Sequence, residues 1–321
     1  MKRNPRALML FFALLAFLWT APGIARANTV TVNCSGKGKI QTITAALASL
    51  PAKEPNTILV QGTCNENVNI TTIDHLTITG DSTTVLNALD PNTATITVLD
   101  SQDLTLNNLV INGSTNVDGV DCWDGTVCRL NNVTIQHAGI DGLEAGSRSS
   151  LVVTDCQIQN NGGLGIWVGE GSHLLVLGTT IQSNALDGIS IGMGAVVHLD
   201  VDSANLGNTI RNNLGNGISS FRGTVQITYT ANSTISGNSG DGVMLQGASA
   251  ANIGAVTIIN NQGHGIRIGD LSFARFAHGG SFVNSNSTPP NILCDSAYSA
   301  TRGVKPTATD TNCPVEVQPL P

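Results

Sequence analysis

Asn161-Gly162-Gly163-Leu164-Gly165-Ile166-Trp167-Val168 is one copy of a motif that recurs along the chain. The order is Asn, three residues, Gly, then an aliphatic residue. It returns as Asn184…Gly188-Ile189-Ser190-Ile191, Asn213…Gly217-Ile218-Ser219-Ser220, Asn238…Gly242-Val243-Met244-Leu245 and Asn261…Gly265-Ile266-Arg267-Ile268. Two earlier copies lack the Asn: Gly119-Val120-Asp121-Cys122 and Gly142-Leu143-Glu144-Ala145. The seven glycines are 23, 23, 23, 29, 25 and 23 residues apart. A fixed period of this size is the mark of a stacked repeat. No segment after residue 55 sustains the 3.6-residue period of a helix. Each unit instead holds short alternating strands, such as Leu174-Leu175-Val176-Leu177 and Thr179-Thr180-Ile181. Strands this short cannot bury an apolar face alone. Stacking coil on coil in parallel, about 4.8 Å apart, buries it continuously.

The repeated Asn fits the same picture. A side-chain amide donates to one neighbouring coil and accepts from the other, so stacked asparagines form a ladder inside a turn. Gly follows where the chain bends sharply. On these residues, from about Ile58 to Asn286, the chain resembles the right-handed parallel β-helix proteins of the pectin-lyase-like group. The resemblance implies an all-β, single-stranded right-handed parallel β-helix solenoid of roughly ten coils with a short N-terminal cap helix. Ile40, Ile43, Leu47 and Leu50 put one apolar stripe on such a helix, Ile40 to Leu50, ended by Pro51. The expected organisation is a signal peptide at 1–27, a cap at 28–57, β-helix repeats at 58–284, and a C-terminal cap and tail at 285–321.

Export is read from the first segment. Lys2, Arg3 and Arg6 precede the apolar run Ala7 to Thr20, and Ala25-Arg26-Ala27 is a small-x-small cleavage site. Fifteen basic and 22 acidic residues become 11 and 22 after removal of that leader. The resulting charge near −11 argues against nucleic acid, which needs a basic face. No second apolar run follows that would insert the mature chain in a membrane. Seven cysteines suit an oxidising, secreted or periplasmic compartment. The expected pairs are Cys34–Cys64, Cys122–Cys128 and Cys294–Cys313, with Cys156 left as a buried thiol. Trp123 and Asp124 are expected to close a small disulfide loop rather than meet a substrate.

Registering the coils on their glycines exposes two columns. The residue before Gly runs Asp118, Asp141, Leu164, Asp187, Asn216, Asp241, His264. The residue two after Gly runs Asp121, Glu144, Trp167, Ser190, Ser219, Met244, Arg267. Residues one and three after Gly are mostly aliphatic and point inward, so the residue between them points out. Asp121, Glu144 and Trp167 therefore line up on one outer face, with Asp118 and Asp141 at its edge. Carboxyl groups on adjacent coils stand roughly 5 Å apart, near the spacing used by retaining glycosidases. Their mutual repulsion splits their pKa values, as acid–base work needs. The same oxygens suit Ca²⁺, and Trp167 suits stacking on a sugar. Asp-Gly is also ordinary turn chemistry, which explains the aspartates without any ligand.

Gly263-His264-Gly265-Ile266-Arg267 resembles the Gly-His-Gly segment of polygalacturonases and adds His264 and Arg267 as substrate-binding candidates. Here Gly240-Asp241-Gly242 stands where those enzymes carry adjacent aspartates, and Arg302-Gly303-Val304-Lys305 is an altered match to their Arg-Ile-Lys. Two function classes follow. One is a secreted protein that binds polysaccharide or another cell-surface glycan. The other is a polysaccharide lyase or glycoside hydrolase acting on acidic glycans such as pectin, with Asp118, Asp121, Asp141 and Glu144 as acid–base or Ca²⁺ groups. The sequence does not set the oligomeric state. The intervals of 29 and 25 place extra residues near Asp200 to Asn208 and Tyr229 to Ser233.

Overall fold

The computed structural model describes residues 27–36, 38–81, 83–228, 230–276, 281–295, 300–303, 307–308 and 310–316. Residues 1–26 of the leader read at 1–27, His278 and Lys305 lie outside the described residues. The chain is a right-handed parallel β-helix built of three parallel sheets, with 13, 10 and 11 strands among the described residues. Each complete coil gives one strand to each sheet. Ser150–Thr154, Gln157–Gln159 and Ile166–Val168 form one coil, and His173–Leu177, Thr180–Gln182 and Ile189–Ile191 form the next.

Register follows the apolar period. Ile158, Ile181, Ile210, Ile235 and Ile258 are direct partners up the 11-stranded sheet. Ile166, Ile189, Ile218, Val243 and Ile266 are direct partners up the 10-stranded sheet. All ten are fully buried. A one-residue slip would turn each of these aliphatic side chains to water, which is why the register is unique. Burial of each contributes about 1.5–3 kcal/mol.

The expected asparagine ladder is present. Asn161 Nδ2 donates to Asn184 Oδ1 at 2.9 Å, and the chain continues through Asn213, Asn238, Asn261 and Asn286 to Asn291. Each glycine that closes this turn is there for room. A methyl group at Gly165 would stand 2.5 Å from both the Gly188 carbonyl oxygen and Ile181 Cγ2.

Both ends differ from the sequence expectation. The regular helix is only Ile43–Leu47, shorter than Ile40 to Leu50. Thr42 caps it, and the Glu66 carboxylate accepts from the Ile43 and Thr44 backbone N–H groups at 2.7 and 3.0 Å. Capping on both sides of its first turn holds a helix too short to persist alone. Strand Asn28–Asn33 lies within the segment read as a cap, yet it pairs along its length with Asn56–Gln61. At the other end the sheets run on past residue 284 through Ile292–Cys294, Ala300–Gly303, Thr307–Ala308 and Val315–Glu316. These strands carry no copy of the motif, so the period could not announce them. The three disulfides are the expected ones. Cys156 is free and buried, and desolvation pushes its thiol up to about 12. Among the described residues no helix is long and apolar enough to cross a membrane.

Candidate functional site

Asp121, Glu144 and Trp167 sit on the outer face of the 10-stranded sheet, in strands Val120–Trp123, Leu143–Ala145 and Ile166–Val168. They are direct cross-coil partners. Their strand neighbours Val120, Cys122, Leu143, Ala145, Ile166 and Val168 are fully buried, which fixes all three as outward and half-buried. The column continues through Ser190, Ser219 and Met244 to Arg267.

The residues before each glycine do turn work. Asp118 Oδ1 accepts from the Asp141 backbone N–H, and Asp141 Oδ1 from that of Leu164, both at 2.7 Å. Asp187, Asn216 and Asp241 repeat the pattern up the stack. The turn reading of Asp-Gly thus holds for one oxygen of each. Asp118 has a further partner, the Glu144 carboxyl. One oxygen each from Asp118, Asp121 and Glu144 falls within 4.8 Å of the others. Asp141 stands outside that trio. Asp121 Oδ1 is the one buried side-chain oxygen or nitrogen among the described residues without a hydrogen-bond partner.

Such crowding has an electrostatic consequence. Burial, then the charges of Asp118 and Asp141, pushes Asp121 up to about 7. Burial, then the charges of Asp121, Asp118 and Asp141, pushes Glu144 up to about 8. Burial raises Asp141 to about 6, against the Leu164 N–H and helped by the charge of Asp118. Asp118 is raised by burial while the Asp141 N–H and the Glu144 carboxyl hold it down. Glu144 is therefore the proton donor in its bond to Asp118. No guanidinium or ammonium pairs with the trio among the described residues.

These folded-state values lie above the ordinary carboxylate range, so the folded protein holds more protons than the unfolded chain. Their contribution is full below about pH 4 and is lost as pH rises through 6 to 8. Asp121→Asn removes one charge from the cluster. The expected result is a higher melting temperature for the variant at pH 8.5 and a flatter dependence on pH between 5.5 and 8.5. Parallel melting curves for the two proteins across that range would exclude a titrating cluster.

Beside Trp167 lies a shallow groove of about 260 Å³ lined by Trp167, Glu170, Ser190, Ser219, Phe221 and Met244 among others. Ser190 and Ser219 are the small residues of the column, so the depression was legible in it. Phe221, 51% exposed, was not singled out, because it follows the repeat motif instead of belonging to it.

Trp123 lies inside the loop closed by the Cys122–Cys128 disulfide, as expected. Its place between Cys122 and Cys128 suggested a loop away from any substrate. It is also the last residue of strand Val120–Trp123, two residues beyond Asp121 and on the same outer face. Its ring lies over Gly146, where a methyl group would stand 2.3 Å from it. His264 and Arg267 are also placed differently from the acidic trio. Arg267 is five strand pairings from Glu144, about 24 Å. Its Nε donates to Asp295 Oδ2 at 2.7 Å, and His264 Nδ1 donates to the Pro290 carbonyl at 2.8 Å. Neither joins the carboxylates.

Residues 94–231 match the family described as right handed beta helix region. No curated protein sequence matches the chain at a significant level. Solved structures share its fold. The tailspike protein 2 enzymatically active domain of Bacteriophage CBA120 superposes with a TM-score of 0.63 at 14% identity, over 86% of this chain and 47% of that one. Pectate lyase Pel9A gives 0.55 at 15% identity, over 86% and 80%. The periplasmic alginate epimerase AlgG, as a mutant, gives 0.50 at 14% identity, over 92% and 84%. The chain thus spans less than half of the tailspike domain.

Proposed function

We propose that this right-handed parallel β-helix protein is an exported glycoside hydrolase that lays a neutral polysaccharide along its 10-stranded sheet. The observation that carries the reading is the trio Asp118, Asp121 and Glu144, with oxygens within 4.8 Å and two members raised to about 7 and about 8. Solved neighbours named for pectate and alginate accord with a polysaccharide role. The disulfides accord with export.

Roles follow from protonation. Glu144 keeps its proton to about pH 8 and is the general acid toward the glycosidic oxygen. Asp121, half ionised near pH 7, is the carboxylate that faces the sugar. The short separation favours direct attack over activation of an intervening water. Asp118 accepts from Glu144 and orients it. Since Asp121 must be ionised and Glu144 protonated, activity peaks between about pH 7 and 8. A uronate would bring one more negative charge to this cluster, so the acidic-glycan alternative is less favoured than a neutral chain.

The test is a panel of neutral and acidic polysaccharides, read for new reducing ends and for unsaturated ends. Reducing ends from a neutral member, with a bell-shaped pH profile, support the reading. Unsaturated ends, or activity that needs added Ca²⁺ and a uronate, overturn it in favour of a cation-assisted lyase. A second reading, binding without cleavage, draws on the backbone bonds already made by Asp118 and Asp141. Binding of a panel member with no new ends of either kind would establish it.

A further inference from the structure

The outer face of the 10-stranded sheet carries aromatic rings at a regular interval. Trp123, Trp167 and Phe221 belong to the strands Val120–Trp123, Ile166–Val168 and Ile218–Phe221. Between the first and second lies one strand, Leu143–Ala145, and between the second and third lies one, Ile189–Ile191. The rings therefore recur every second coil, about 9.6 Å apart along the solenoid axis. They also gather toward the same edge. Trp123 and Phe221 each occupy the outward position two residues past the acidic column. Trp167 stands in that column, but its indole reaches toward the same edge. A methyl group at Gly192 would lie 3.5 Å from its six-membered ring, and one at Gly169 would lie 3.5 Å from Nε1.

Glycine makes the row possible. Gly146, Gly169 and Gly192 occupy the edge position on three successive coils, so no side chain stands between the rings there. The ring of Trp123 rests on Gly146, and that of Phe221 on Gly247. Arg222 holds the tilt of Phe221, its guanidinium 5.2 Å from the ring centroid. Trp123 and Phe221 are 36% and 51% exposed. The ionisable groups along the row are the acidic trio at one end, Glu170 beside Trp167, and Arg222 against Phe221 at the other end.

We infer that Trp123, Trp167 and Phe221 form a three-platform track for an extended, neutral, 1,4-linked glycan whose sugar faces repeat every second residue. In an extended chain with equatorial linkages, successive sugars turn over by half a rotation. The same C–H-rich face then recurs once per disaccharide, a length close to two coils of this solenoid. Each aromatic ring meets the apolar face of every second sugar. The Asp121–Glu144 pair stands beside the first platform, on the strand of Trp123 and the next one, so cleavage falls next to the sugar on Trp123. With the pair at the Trp123 end, the track is asymmetric about the scissile bond, Trp167 and Phe221 both lying to one side. The inference rests on the hydrolase reading for where cleavage falls, and on geometry alone for the track.

The experiment measures binding and cleavage separately. Calorimetry with the full-length mature protein uses oligomers of two to eight sugars of β-1,4-linked glucose, β-1,4-linked N-acetylglucosamine, α-1,6-linked glucose and α-1,4-linked galacturonate. The expected result is affinity for one of the β-1,4-linked neutral series that rises in steps of two sugars. Phe221→Ala should weaken the hexamer and longer chains about tenfold and leave the trimer unchanged. Circular dichroism confirms that the variant folds. Affinity that climbs evenly with each sugar, equal loss for short and long chains, or preference for the α-1,6-linked or galacturonate series overturns the track. Stepwise binding without new reducing ends sinks the hydrolase reading and leaves the track standing. Cleavage that is indifferent to Phe221→Ala and to linkage does the reverse.

Discussion

Glu144→Gln will lower kcat/KM on the responsive glycan by about 10²–10⁴-fold, the usual contribution of one positioned proton donor. The substitution keeps shape and hydrogen-bonding reach while removing the proton that burial and the three neighbouring aspartates hold on the side chain up to about pH 8. Its effect falls on kcat, because ground-state stacking on the aromatic rings is untouched. The alkaline limb of the pH profile should vanish along with the activity, since Glu144 is the group whose ionisation that limb reports. A substrate with a good leaving group, such as a nitrophenyl glycoside, should recover much of the first step, because such a group departs without protonation. Wild-type kcat on the polysaccharide, or an unchanged alkaline limb, would remove Glu144 from the reaction.

The second large effect is on stability. Asn213→Ala should cost about 3–5 kcal/mol, read as a shift in the midpoint of urea unfolding. Asn213 Oδ1 accepts from the Asn184 backbone N–H at 3.1 Å and from Asn184 Nδ2 at 3.0 Å. Its own Nδ2 donates to Asn238 Oδ1 at 3.0 Å and to the Ile181 carbonyl at 3.4 Å. Asn184, Asn213 and Asn238 are fully buried, so water does not replace what alanine removes. Each orphaned buried group costs about 1–3 kcal/mol, and two donors of Asn184 are left at once. Gln159→Ala interrupts a comparable ladder on the outer surface, Gln182 to Gln159 to Gln136. There solvent supplies new partners, and a cost under about 1 kcal/mol is expected. Equal losses at the two sites would refute the claim that burial, rather than the ladder pattern, sets the energy.

The two predictions mark where sequence reading stops. Asn213 was legible because the ladder repeats with the coil. Once Asn-x-x-x-Gly-aliphatic recurs near every 23 residues, its stacking and burial follow from the period. The column Asp121, Glu144, Trp167 was legible for the same reason. Trp123 was not, because its nearest sequence signal was the flanking cysteine pair, and the five-residue disulfide loop between them looked sufficient to explain it. Phe221 was not, because it lies one residue outside the motif that supplied the register. Strands Asn28–Asn33 and Val315–Glu316 pair in the sheets without any copy of the repeat. His264 and Arg267 were named as substrate-binding candidates by a short local resemblance, which says nothing about how many coils separate them from the acidic trio.

The sequence by itself determined the coil, its register, and the inward and outward faces. These depend on period and alternation, which are properties of the chain read in order. Only the tertiary structure decided which carboxylates share a site, which stay protonated at neutral pH, and which aromatic rings stand in one row. Those depend on distances between groups about 23 to 50 residues apart and on how much water each has lost. Desolvation and Coulomb repulsion act through space, so they come into being only when the coils are stacked.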